Sequence, residues 1–575
     1  MRRRFASTLL VLTALGGALL RAADAPDNDK VVALPPFMVE ETGKGPPWRY
    51  VELPGFEVLS RCNDLSTRTV TQAYVQLHRL LAVVLPEELQ IQLTEPRVVI
   101  LYDEELHPAA SQEVVAQMLR IAGANRPPLD DLPDIGPRGV RPSSAPRRVS
   151  FLPNLRLTDK DAITVFTIVR QDGLNTDSLY LTTDYVTYML RNRVPALPLW
   201  FVAGFLSAYR EMTFRPGEIT LKPLQWISEA ETEVVKKTPA TARQPVPFGE
   251  FFRGDLLRKE PADPKAAQLW AAQAALFVRW GLDDRNPARR QAFWKFVARV
   301  SEASSSEQRF IECFGFDYAE AQKQLAEFLP VAVRRTVHYS LDHSLKPPAV
   351  ALRDATFGEI ARIKGDWERL EIGYVTEHFP ALAPKYLEQA RRTLMRAYER
   401  DERDPRLLAV LGLCARDAGD DGPAREYLEA AAQSGTMRAR AWLELARLRY
   451  AVALAQPGGA GGRLTSTQAA NVLTPLFTAR QQRPPLPEVY DLIAAVWAHC
   501  DFPPTRAHLA ALDEGVALFP RNAELVFQTA SLYVARGWFS DARGYAELGL
   551  QVAPDDATRA RFTELRARLP ATPPP

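Results

Sequence analysis

The sequence predicts an α+β lobe, then an α-helical lobe, then a solenoid of α-α repeats. Three observations predict it. Across residues 47–237 short β-branched runs alternate with amphipathic helices. Across 238–345 helical spacing of apolar residues dominates, and across 346–575 the chain resembles itself at a period of ~34 residues. At 575 residues the chain exceeds what one core supports, about 250–300 residues, so several units are expected.

The elements justify this in order. Arg2-Arg3-Arg4, an apolar run over 5–20 and the small residues Ala22, Ala23 and Ala25 have the order of a secretory signal peptide, expected over 1–23. It implies an exported chain, periplasmic or extracellular, with no stable membrane span after signal removal. A Pro-rich flexible leader is expected over 24–46. A strand follows over 50–58, then a helix over 66–85 in which Val70, Ala73, Tyr74, Leu77, Leu80, Leu81 and Val84 recur every three or four residues. The run Arg97-Val98-Val99-Ile100-Leu101-Tyr102 suits a buried strand. Residues 123–149 read as a mobile loop, and strands are expected over 148–152, 162–169 and 178–181. From 181 onward the pattern is helical, with helices over 183–191 and 199–210. Residues 238–264 are Pro-rich and loop-like, and helices return over 267–280, 287–301 and 318–328.

Composition excludes some functions. Apolar content of 46% and charged content of 24% are ordinary for a soluble globular protein. With 71 basic and 69 acidic residues the net charge is +2, too small a field to capture nucleic acid. Cys62, Cys313, Cys414 and Cys500 lie far apart with no C-x-x-C, which speaks against a zinc ribbon or redox dithiol. Cys414 and Cys500 sit in apolar helical patterns and read as core; a Cys62–Cys313 bridge has no support in the sequence.

In the last third, Tyr533, Gly537, Phe539, Ala542, Gly549, Leu550 and Pro554 fall at offsets that resemble the tetratricopeptide repeat. Leu408, Leu411, Gly412, Gly419, Ala424, Leu428 and Ala431 give a second match, and 489–520 a looser third. A half-unit with Ala390, Leu394 and Ala397 precedes Pro405, and the Gly-rich stretch 456–462 is expected to interrupt the array as a flexible excursion. The resemblance implies stacked helix pairs with a concave surface for protein or peptide partners.

The middle of the chain carries a second resemblance. Pro198-Leu199-Trp200-Phe201-Val202-Ala203-Gly204-Phe205-Leu206-Ser207-Ala208-Tyr209 resembles the second metal-ligand helix of the gluzincin (peptidase MA-like) metallopeptidases, P-x-W-[FL]-x-E-G-[LF]-[AS]-x-Y. The likeness spans about 95–330, with the Trp-centred segment its specific part; Phe314-Gly315-Phe316-Asp317 ahead of a closing helix also fits. It implies a zincin-like lobe, but Ala203 stands where the third zinc ligand belongs. Where the family places H-E-x-x-H, this chain has Thr183-Asp184-Tyr185-Val186-Thr187. Thr183 and Thr187 keep the i, i+4 spacing, yet neutral hydroxyls are poor zinc ligands. Among the seven His (His78, His107, His338, His343, His378, His499, His508), none falls within 108–337.

Degenerate positions Thr183, Asp184, Thr187 and Ala203 thus point to no catalytic, cofactor or metal residue. Asp184 also reads as an acid favouring a helix start, and Trp200, Phe201, Phe205 and Tyr209 as the core side of an amphipathic helix. The expectation is a non-catalytic exported protein that binds protein or peptide; the alternative is a hydrolase built around Asp184.

Overall fold

The computed structural model describes residues 46–86, 97–103, 155–169, 183–215, 218–226, 245–254, 264–283, 285–302, 305–340, 349–378, 380–435 and 437–570. The expected signal segment, the leader up to residue 45, the loop 123–149 and the strands 148–152 and 178–181 lie outside them.

The strand expected at 50–58 is a hairpin. β1 (Arg49–Leu53) and β2 (Phe56–Ser60) pair antiparallel with Leu53 opposite Phe56. Pro54 and Gly55 form the turn between them, and Gly55 takes φ +83°, a conformation that favours glycine. Helix α1 (Asp64–Val84) begins where the Asn63 side chain accepts a 2.8 Å hydrogen bond from the Ser66 amide. β3 (Arg97–Asp103) lies parallel to β2. β4 (Leu155–Thr158), which the sequence reading missed, forms an antiparallel hairpin with β5 (Ile163–Val169), and β5 lies parallel to β3.

Helices α2 (Thr183–Arg191) and α3 (Leu199–Arg210) then form with the expected bounds. The helical pattern expected from 181 onward is broken by strands. α3 is followed by β6 (Met212–Arg215) and β7 (Glu218–Leu221), which alternate apolar and polar residues and join β8 (Val337–Ser340) in an antiparallel sheet. The Pro-rich stretch expected to be loop contains α4 (Phe248–Arg253), whose Phe248 and Phe251 are buried. α5 (Pro264–Gly281), α6 (Pro287–Glu302), α7 (Glu307–Phe314) and α8 (Tyr318–Ala332) complete the helical lobe. Gly315 at φ +82° ends α7, and the Asp317 carboxylate caps α8 through the Glu320 amide.

A two-residue strand, β9 (Arg353–Asp354), returns to β1 and gives the large sheet its order, β4-β5-β3-β2-β1-β9. This sheet is buried on both faces, as a sheet with a parallel centre requires. Val51, Val58, Val99, Leu101 and Val165 join the core containing α1, α2 and α3. Tyr50, Leu59, Ile100, Tyr102 and Phe166 face the other way, against Ile363 and Trp367.

Those two residues belong to α9 (Phe357–His378), the first helix of the repeat region. It pairs with α10 (Ala383–Tyr398). Pairs follow from α11 (Pro405–Asp417) with α12 (Asp421–Ala432), α13 (Ala439–Ala455) with α14 (Ser466–Arg480), α15 (Pro487–His499) with α16 (Arg506–Leu518), and α17 (Ala523–Ala535) with α18 (Phe539–Val552). α19 (Asp556–Ala567) closes the solenoid. Gly412 lets α11 and α12 approach, since an added Cβ would lie 2.6 Å from Leu428 Cγ. The stretch 456–462 does not interrupt this array. It is the connection within one pair, pinned by the Gln468 amide donating to the Gln456 carbonyl at 2.7 Å and by a bridge between Leu464 and Cys500. All four cysteines are free thiols.

Candidate functional site

The positions singled out in the sequence lie on α2 and α3. The two helices pack on one another, and Thr187 and Ala203 are both buried, 3% and 8% exposed. Thr183 and Asp184 open α2; their side chains lie outside the described residues, and so does any convergence of Thr183, Thr187 and Ala203. Among the described residues no three His, Cys, Asp or Glu side chains are grouped to hold a metal ion.

What the α2–α3 corner does show is why the rest of the segment is aromatic and glycine-bearing. Trp200 is packed among Phe252, Phe277, Phe293 and Phe296, with ring centroids 5.0–6.0 Å away. Phe201 contacts Phe205 and Trp294. Gly204 faces α5, where a Cβ would lie 2.3 Å from the Ala274 carbonyl oxygen. Only glycine permits that approach of helix to backbone. Each of these motif positions therefore has a packing duty independent of metal.

The densest polar constellation lies elsewhere, where the β4–β5 turn meets the repeats. Asp159 accepts hydrogen bonds from Arg369 at 2.6 Å, Arg438 at 2.7 Å and Arg440 at 3.4 Å. Burial alone would raise this carboxyl, but the three guanidiniums outweigh it and hold it far below the ordinary carboxylate range. Asp161, with no exposed surface, accepts from the Arg440 backbone amide at 2.7 Å. Helix α13 has Arg438 at its N-cap and no capping side chain of its own. Asp161 supplies the cap from the other lobe, and burial pushes its carboxyl up. Lys160 pairs with Glu488 at the start of α15.

The same pattern extends along the solenoid. Glu57 of β2 is bound by Arg362 at 2.8 Å and Arg406 at 2.6 Å. Burial would raise it, and the arginines hold it below its ordinary value. Farther on, Arg521, just before α17, donates to the Val300 carbonyl, and Arg309 reaches Gln551 of α18 at 3.5 Å. The contacts come mainly from the first helix of each pair. Part of the face expected for partners therefore holds the chain's own α+β lobe. The sequence reading missed Asp159, Asp161, Arg438 and Arg440 because their partners lie some 280 positions away; the Asp-Lys-Asp turn before a strand was the one local signal.

Comparisons with known proteins add little to this geometry. No protein-family model matches the chain, and no curated protein sequence matches it. Among solved structures, TTC0263, a thermophilic TPR protein of Thermus thermophilus, is 20% identical over 35% of this chain and 98% of its own, with a TM-score of 0.24. YrrB, described as a TPR protein with an unusual peptide-binding site, is 12% identical over 36% of this chain and 98% of its own, with a TM-score of 0.25. The TPR2AB domain of yeast Sti1 is 15% identical over 37% of this chain and 91% of its own, at 0.17. All three are tetratricopeptide-repeat proteins, but likeness at such scores carries no argument. The solenoid stands on its own helix pairs. No described helix is long and apolar enough to cross a membrane.

Proposed function

We propose that this protein is an exported, non-catalytic binding scaffold: a degenerate gluzincin-like lobe joined to helical repeats that engage a protein or peptide partner. One observation carries the reading. At the α2–α3 corner the retained residues Trp200, Phe201 and Gly204 all serve packing, while the described ligand positions hold Thr187 and Ala203, which offer neither imidazole nor carboxylate. The element order supports it, with a covering helix, parallel strands, an antiparallel edge strand and then two packed helices. For the binding role, stacked helix pairs present an extended surface, of which the lobe occupies only part.

Metal content of the full chain purified without chelator tests the non-catalytic half. Less than about a tenth of an equivalent of zinc, with no hydrolysis of peptide substrates, is expected, since hydroxyl and methyl groups make a poor ligand set. Stoichiometric metal, or activity lost on Asp184→Ala, would overturn it. The degenerate-site half has its own test, the combined variant Thr183→His, Thr187→His, Ala203→Glu. It should gain zinc affinity measurable by calorimetry; a folded variant without affinity would place these residues apart. Photo-crosslinkers at the exposed positions Asn471 and Thr474 of α14 should trap a discrete protein in the native host, and wild-type-like growth with no adduct from any repeat position would count against the binding role.

A further inference from the structure

Helix α9 is shared by two cores, and its interior is chemically unusual. Through Ile363 and Trp367 it covers one face of the large sheet, with Trp367 and Phe166 ring centroids 5.7 Å apart. Through its other side it pairs with α10. Between these contacts sit two carboxyl groups one helical turn apart, Glu368 and Glu371, 1% and 0% exposed. Glu371 accepts from the Trp367 indole at 2.5 Å, and its second oxygen has no hydrogen-bond partner. Glu368 is bonded to Thr393 and Gln389 of α10, and its Oε2 is likewise unpartnered.

The cations near the pair act on only one of its members. Lys364 on α9 and Arg396 on α10 face Glu368, whereas the charged group facing Glu371 among the described residues is Glu368 itself. The nearby cation Arg369 is engaged by Asp159, Asp366 and Asp417. Burial pushes Glu368 up to about 7, and burial together with Glu368 pushes Glu371 well above its ordinary value. An unpaired buried carboxylate is costly, whereas a protonated one is tolerated.

We propose that Glu368 and Glu371 form a proton-dependent latch, in which the protonated pair lets α9 seat between the sheet and the repeats and full ionisation loosens that seat. The sign follows from linkage. Folded-state affinity for protons exceeds that of the unfolded chain, so stability falls as pH rises from the ordinary glutamate range through neutrality. The latch weakens in alkali, opposite to the Asp159 and Glu57 pairs, which weaken in acid.

Thermal unfolding of the full chain at about pH 6 and pH 8.5 tests this, with wild type against the double variant Glu368→Gln, Glu371→Gln. Wild type should lose roughly 3–6 °C across that interval, while the double variant stays level within about 1 °C. A level wild type, or an equal slope in both proteins, would overturn the latch. Should the double variant not fold, hydrogen exchange of wild type decides, after correction for intrinsic rates. Protection falling across the same pH interval in 357–398 but not in 487–552 supports the proposal, and a uniform or absent change refutes it.

Discussion

The α2–α3 corner and the β4–β5 turn are both buried junctions, yet they are built from opposite materials. At the corner, Trp200 sits among four phenylalanines and Gly204 admits a backbone carbonyl. At the turn, Asp159 and Asp161 are held by Arg369, Arg438 and the α13 amide end. The corner joins helices of one core, where shape alone suffices. The turn joins two cores formed separately along the chain, and charge there fixes which surfaces meet and in what register. A motif that looks catalytic serves as packing, and an unremarked turn holds the two halves together.

Substitutions at three positions would break or sharpen this contrast. Trp200→Ala should cost the most, about 3–5 kcal/mol, because it empties a large aromatic site that neighbouring helices only partly refill. Chemical denaturation would measure it, and a loss under about 1 kcal/mol would show that the corner is not cemented by shape. Asp159→Ala should follow at about 3 kcal/mol, since it leaves Arg438 and Arg440 short of a partner in a buried place. That loss should appear as separate melting of the lobe and the repeats in calorimetry, whereas Trp200→Ala should lower the lobe transition first. Asp161→Ala should cost about 1 kcal/mol, the usual worth of a helix cap, and Asp161→Asn should restore most of it.

The junction also carries a pH signature. Asp159 and Glu57 are held below their ordinary values, so their contribution is present above the ordinary carboxylate range and lost as pH falls through the folded-state values. Stability measured from about pH 5 to pH 3 should therefore drop, and Asp159→Asn should flatten part of that drop. An unchanged slope in the variant would remove Asp159 from the account.

Much of the architecture was legible from local pattern. Helices α2 and α3 have the expected bounds because apolar spacing and Pro198 mark them. The repeat pairs at 405–432 and 523–552 follow from small residues at fixed offsets. The hairpin at Pro54-Gly55 and the strands β6 and β7 were readable, the first from its Pro-Gly turn and the others from their alternating residues, but the expectation passed over them. β4 and β9 were not readable, being two to four residues long and defined only by the strand each one joins.

The candidate site divides the same way. Sequence alone determined that Thr183, Thr187 and Ala203 bring hydroxyl and methyl groups and neither imidazole nor carboxylate, because side-chain chemistry is fixed by residue identity. It also determined that paired helices end the chain, since a periodic apolar stripe must find a neighbour to bury it. Only the tertiary structure decided that α9 covers the sheet, that Asp161 caps a helix it never adjoins in sequence, and that Glu368 and Glu371 share a place shielded from solvent. The reason is physical. Hydrophobic patterning is written locally and read over a few turns, whereas burial of a charge and the partner that offsets it depend on which distant surface arrives.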